Sequence, residues 1–209
     1  HFHRIGSSKR KMSTDYIIRL GQQRSQTRMI RFDEQPVAQA PMDALDPPLY
    51  DRFRTPRTKD EGQSFLEKLG LAAKDADGVF HPSVTGILIA CREPMDWMPN
   101  AFIQAVAYRG TTPSGNDSVL PYQLDARDIS GPLDEQVREA CRFVVRNMKV
   151  AAVKTLGRRD IPQYDLTAVF EALVNAVAHR DYAAHGSKIR LKMFADRLEI
   201  YSPGTIPNT

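Results

Sequence analysis

Residues 171–182 read EALVNAVAHRDY, and the interpretation of this stretch decides how the rest of the chain is understood. Glu171, Asn175 and His179 recur every four residues, which in an α-helix sets them along one side. Leu166, Val169, Phe170, Leu173, Val174 and Val177 recur at three- and four-residue spacing and predict the face that packs. The polar stripe is then either a solvent-facing rim, the ordinary place for polar groups on a helix, or part of a ligand site. Asn175 is a mediocre helix former in mid-helix, so propensity does not explain it.

Outward from this helix, SKIRLKMF (187–194) and DRLEIYS (196–202) predict two strands joined by a tight turn at Ala195 and Asp196. Upstream, AFIQAVAYRG (101–110) alternates as a strand, TTPSGNDS is its turn and SVLPYQLDA a second, less regular strand. LDEQVREACRFVVRNMK predicts a helix with Val137, Cys141 and Val144 or Val145 inward, and VAAVKTL another strand. The later half is therefore expected to be an α+β layer, strands backed by helices.

The earlier half is less regular. Five prolines between Phe32 and Arg57 predict a connector with short helices. TKDEGQSFLEKLGLA predicts a helix with acidic residues at its start, Phe65, Leu66 and Leu69 buried, and Gly70 as its stop. A DADG turn follows, and Val84 to Ala90 is assigned to a helix capped near Ser83. At the front, Phe2–Ile5 is expected as a lone strand, GSSKRK as a loop, and the next residues as a helix capped by Ser13 with Tyr16, Ile17 and Leu20 inward. A lone strand needs partners, so further sequence upstream is expected.

The charge is uneven. Residues 1–31 hold eight cations against one anion, Asp15, a net +7; of the overall +4, the other 178 residues supply −3. A basic end on a nearly neutral body fits a phosphate-backbone binder, or an ordinary solvated surface. Cys91 and Cys141 lie fifty residues apart and are expected as reduced core thiols in a cytoplasmic protein. No apolar run approaches the roughly 18 to 20 residues of a membrane span, so no membrane partner is expected. Trp97 is expected to be a packing anchor.

Taken in order, Glu171-x-x-x-Asn175-Ala176 on a helix, paired strands and a glycine-containing loop resemble the GHKL superfamily of gyrase, heat-shock chaperone, histidine kinase and mismatch-repair ATPases. EALVNAVAHRDY with FADRLEIYSPGTIP is similar to the "RecG-like" C-terminal module of bacterial transcriptional regulators. There it follows an AlbA-type, Schlafen-like ("divergent AAA") DNA-binding domain. FHRIGSSKRKMS resembles the end of that domain, and SVTGILIACREPMDWMPNAFIQAVAYRG the segment joining the two. The resemblance covers nearly the whole chain.

The resemblance implies ATP and magnesium as cofactors. Asn175 would offer its carboxamide oxygen to the metal, and Glu171 would orient or deprotonate the attacking water. His179, Arg180 and Asp181 mark the subfamily, with Asp181 either bonding Arg180 or capping the next turn. Ser202 stands near the position of the adenine-recognising Asp, and Gly204 is the loop's one glycine. A hydroxyl accepts one hydrogen bond, where a carboxylate adds charge and fixed geometry. No second glycine-rich box follows before Thr209, so an incomplete nucleotide pocket is expected.

A helicase motor is excluded. The nearest P-loop approximation, Gly110 to Gly115, is followed by Asn116 and Asp117 instead of Lys and Ser or Thr. At the basic end, Arg4, Ser7, Ser8, Lys9, Arg10 and Lys11 offer amides, hydroxyls and cations suited to phosphate contacts that carry no base readout.

The expectation is therefore an α+β chain: the end of an AlbA-type domain (1–32), a helical connector (33–98), and a partial GHKL, Bergerat-like two-layer sandwich (99–209). Its expected function is DNA binding in a transcriptional regulator carrying a degenerate nucleotide module, with a homodimer left open. An active magnesium-dependent ATPase and a non-enzymatic dimerisation or interaction module are the alternatives.

Overall fold

The computed structural model describes residues 2–5, 8–11, 32–113, 122–154, 158–184 and 186–204, with backbone alone at 2–5, 8–11, 151–154 and 158–161. The expected helix after Ser13, the residues Ser7 and His185, and the turn 114–121 lie outside the described residues. The architecture is α+β.

Strands β1 (Phe2–Ile5) and β2 (Ser8–Lys11) form an antiparallel hairpin, with Phe2 opposite Lys11, His3 opposite Arg10 and Arg4 opposite Lys9. This corrects two expectations. The first strand finds its partner six residues on, and Ser8–Lys11 is strand, not loop. Backbone amides and carbonyls need partners, and a two-residue connection is the shortest way to supply them.

The connector is built on short elements. Helix α1 (Pro47–Asp51) starts with two prolines where a missing N–H costs nothing. Helix α2 (Gly62–Lys68) begins after the acidic residues rather than with them, and Asp60 instead pairs with Lys68 at 2.6 Å. Gly70 ends it in the left-handed region (φ +71), letting the Leu71 amide reach the Leu66 carbonyl at 2.8 Å. Leu69, expected inside, is 37% exposed because it lies at that reversal. Strands β3 (Ala72–Lys74) and β4 (Phe80–Pro82) form a hairpin around the DADG turn, where Asp75 accepts the Asp77 and Val79 amides.

Helix α3 (Val84–Ala90) is capped as expected by Ser83, whose hydroxyl accepts the Gly86 amide at 2.9 Å and donates to the Gly70 carbonyl at 2.5 Å. Leu45, Phe65, Leu66 and Ala90 close one apolar cluster, and Ala40, Ile87 and Cys91 another against which Trp97 packs. Both cysteines are free thiols, and burial pushes their pKa upward.

The second layer comprises β5 (Ile103–Tyr108), β6 (Gln123–Ile129), α4 (Leu133–Asn147), the hairpin β7 (Val150–Lys154) and β8 (Arg158–Pro162), α5 (Leu166–Ala178), β9 (Ile189–Met193) and β10 (Leu198–Tyr201). The sheet runs β10-β9-β5-β6, with β5 and β9 parallel and the outer pairs antiparallel. Alternation sends Ile103, Ala105, Ala107, Ile189, Leu191 and Met193 to one face, where α4 and α5 pack through Phe143, Val144, Val169 and Leu173. In α4 the inner face is Gln136, Val137, Ala140, Phe143 and Val144; Val145 points out and Cys141 is half-buried. Buried Gln136 donates to the Ala101 and Gly131 carbonyls at 2.9 and 2.7 Å, which satisfies it. Among the described residues no helix is long and apolar enough to cross a membrane.

Helix α5 is rotated from its expected setting. Val169, Leu173, Ala176 and Val177 are buried, while Leu166 and Phe170 are 40% and 49% exposed. Ala176 lies on the packed face and the larger Phe170 at its edge. At about 100° per residue this puts Glu171 almost opposite the buried face.

Candidate functional site

Asp165 starts α5 by accepting the Thr167 and Ala168 amides at 2.8 and 3.4 Å. From that anchor Glu171 and Asn175 project on the exposed side, and neither side chain makes a hydrogen bond among the described residues. His179 is exposed at the helix end, its amide bonded to the Asn175 carbonyl at 3.0 Å.

The chain then turns inward. Arg180 is 7% exposed and donates to the Asn100 carbonyl at 2.6 Å and the Ser187 carbonyl at 2.8 Å. Its Nε is buried without an acceptor, and among the described residues no carboxylate pairs with it. Burial lowers its pKa from the usual guanidinium range, yet arginine stays charged at neutral pH. The guanidinium lies 4.5 Å from the Tyr182 ring centroid, a cation–π contact. The Tyr182 hydroxyl donates to the Val177 carbonyl at 3.1 Å, and burial pushes its pKa up to about 12.

Asp181 resolves in favour of turn capping. Its carboxylate accepts the Ala183 amide at 2.9 Å, and its own amide donates to the Pro203 carbonyl at 2.8 Å. Ser202 donates to the Ala176 carbonyl at 2.7 Å. A Cβ on Gly204 would stand 3.1 Å from the His179 carbonyl oxygen, a tight approach that would push the loop and the turn apart by a few tenths of an ångström.

His179, Asp181, Ser202 and Gly204 are thus brought together at the end of α5. Glu171 and Asn175 stand apart from them, farther up its exposed side. Two clefts flank Tyr182. One, about 320 Å³, is walled by Val37, Trp97, Met98, Arg180 and Tyr182; the other, about 400 Å³, by Thr85, Leu133 and residues 179–182. Neither includes Glu171 or Asn175. Among the described residues no three His, Cys, Asp or Glu side chains converge on a metal position. The expected roles left Arg180 unassigned. Its place right after the helix end, where the chain reverses, was the available signal. Asn100 gave none, because it contributes only a backbone carbonyl.

The described residues thus define an α+β protein with a helix-backed mixed sheet and a buried arginine at its junction with the connector. No family model matches the sequence, and no curated protein matches it. Among solved structures the chain is similar to the DIP2311 protein from Corynebacterium diphtheriae, at 20% identity and a TM-score of 0.51. That likeness covers 99% of this chain and 39% of the other, and it shows the fold.

Proposed function

We propose that this chain belongs to a DNA-binding regulatory protein and joins a basic DNA-contacting ribbon to a degenerate GHKL-like nucleotide module. The observation that carries the reading is the hairpin: Arg4 is in register with Lys9, and Arg10 and Lys11 follow on the same strand. A two-stranded ribbon has the width of the DNA major groove, and cations on it are matched to phosphates. The net +7 over residues 1–31 adds a field that draws DNA in.

Salt titration of DNA affinity tests it. The logarithm of affinity should fall linearly with the logarithm of salt, by about 0.9 per phosphate contacted. Lys9→Ala, Arg10→Ala and Lys11→Ala should each lower that slope by about one. Binding that ignores salt, or slopes unchanged in all three variants, would remove the reading.

A magnesium-dependent ATPase is the second reading, and one observation favours it. Glu171 and Asn175 lie one turn apart on an exposed face with no side-chain partner among the described residues, which leaves both open to a ligand. When bound, ATP with magnesium would supply the phosphates and the hard cation; Asn175 would hold the metal and Glu171 the water. Magnesium-ATP should then raise the melting temperature, and Asn175→Ala should abolish that rise while leaving the ligand-free value in place. No rise in the full chain would leave the module as an interaction surface, its self-association read from the solution mass.

A further inference from the structure

We infer that the cleft between the connector and the Arg180–Tyr182 turn is a binding site for a small organic carboxylate with a planar apolar body. At about 320 Å³ the cleft is in the range of small-molecule pockets. Its walls are mainly apolar, Val37, Trp97, Met98 and Tyr182 among them, and Arg180 is the one cation in the lining.

Arg180 is the observation that specifies charge. A buried cation is costly unless it is paired and its N–H groups are accepted. Two carbonyls hold its terminal nitrogens, which fixes the guanidinium in place. Carbonyls bring no net charge, and Nε–H still lacks an acceptor. Asp181, next in sequence, bonds the Ala183 amide and not the guanidinium, so its charge acts on Arg180 only through space. A ligand carboxylate at the cleft wall would give the guanidinium a directly bonded counter-charge, which Asp181 supplies only through space. Trp97 and Tyr182 line the cleft and offer aromatic surface to a flat apolar body.

The site also lies at a seam. Arg180 donates to the Asn100 carbonyl before β5 and the Ser187 carbonyl before β9, so it ties together the starts of the two parallel strands.

Calorimetric titration of the full chain with phenylacetate and 1-naphthoate, against phenylacetamide and 1-naphthamide, tests the proposal. The acids should bind and raise the melting temperature, and the isosteric amides should bind at least about tenfold more weakly, the scale of a charge-assisted hydrogen bond. Arg180→Met should lose the acid preference. Because that variant also breaks two structural hydrogen bonds, Ala184→Phe, which fills the cleft from its rim, serves as the second: it should keep the melting temperature and lose the binding. Equal affinity for acid and amide overturns the assignment, as does acid binding that survives Ala184→Phe. Absence of binding by either acid at about 10 mM overturns it too. None of these readouts involves DNA or ATP, so the test stands or falls apart from the proposed function.

Discussion

The Ser202 hydroxyl donates to the Ala176 carbonyl at 2.7 Å, tying the loop after β10 to the last turn of α5. Ser202, proposed to stand near an adenine-recognising position, thus spends its one proton on the fold. Its lone pairs remain, which is a weaker offer to an adenine amine than a carboxylate makes.

Ser202→Ala should therefore destabilise the protein by about 1 kcal/mol, the usual worth of such a bond. Asn175→Ala, on the exposed side and without a side-chain partner among the described residues, should stay within about 0.5 kcal/mol. Urea unfolding of the two variants measures this directly, and equal midpoints would refute the structural role of Ser202.

Gly86 inverts an ordinary rule. Glycine to alanine inside a helix normally stabilises by up to about 1 kcal/mol. Here a Cβ would stand 2.0 Å from the Leu71 carbonyl oxygen, which is backbone and also accepts the Ser83 amide at 2.9 Å. Gly86→Ala should lower stability by about 1–3 kcal/mol, the cost of overpacking. A raised melting temperature would show that α3 does not lie this close to Leu71.

Two phenylalanines separate the inner and outer faces of the helical layer. Phe143 is fully buried, and Phe143→Ala should cost about 3–5 kcal/mol. Phe170 is half-exposed, and Phe170→Ala should cost less than about 1 kcal/mol. Comparable losses in denaturant unfolding would mean that α5 packs through Phe170 after all.

Acid should unfold the protein through its bonded aspartates. Asp125 accepts from the Asn147 carboxamide at 3.0 Å and lies 3.3 Å from Arg146, and both hold its carboxyl below the usual range. At Asp134 burial pushes upward, but Arg52, donating at 2.6 and 3.1 Å, outweighs it. Because the folded values lie below the unfolded ones, the unfolded chain binds more protons in acid. The stabilisation is complete above about pH 4 and is lost as pH falls through the folded values. Asp134→Asn should show a shallower loss of stability below about pH 4 than the parent, read by urea midpoints across pH. Parallel acid limbs would count against the Arg52 pairing.

Much of the local structure was legible along the chain. Ser83 announced the start of α3, Gly70 the end of α2, and the Ala195–Asp196 turn its hairpin, closed by the Phe194 amide on the Arg197 carbonyl at 2.8 Å. These signals come from atoms within a few residues of one another. The stripe in EALVNAVAHRDY was legible as a helix side; its distance from the His179–Asp181 cluster was not. Strands β3, β4 and β8 went unseen because three to five residues carry too little periodicity to stand out.

Sequence by itself determined the helices near 62–68, 84–90, 133–147 and 166–178, the Ser83 cap, the basic first segment and the lack of a P-loop match. Only the tertiary structure decided that β5 pairs in parallel with β9, whose residues lie more than eighty positions away. It likewise decided that α5 turns Phe170 outward and that Arg180 is buried against the Asn100 carbonyl. Periodicity and capping act between sequence neighbours, whereas these choices depend on which distant surfaces fill each other's volume and which distant carbonyls accept a buried cation.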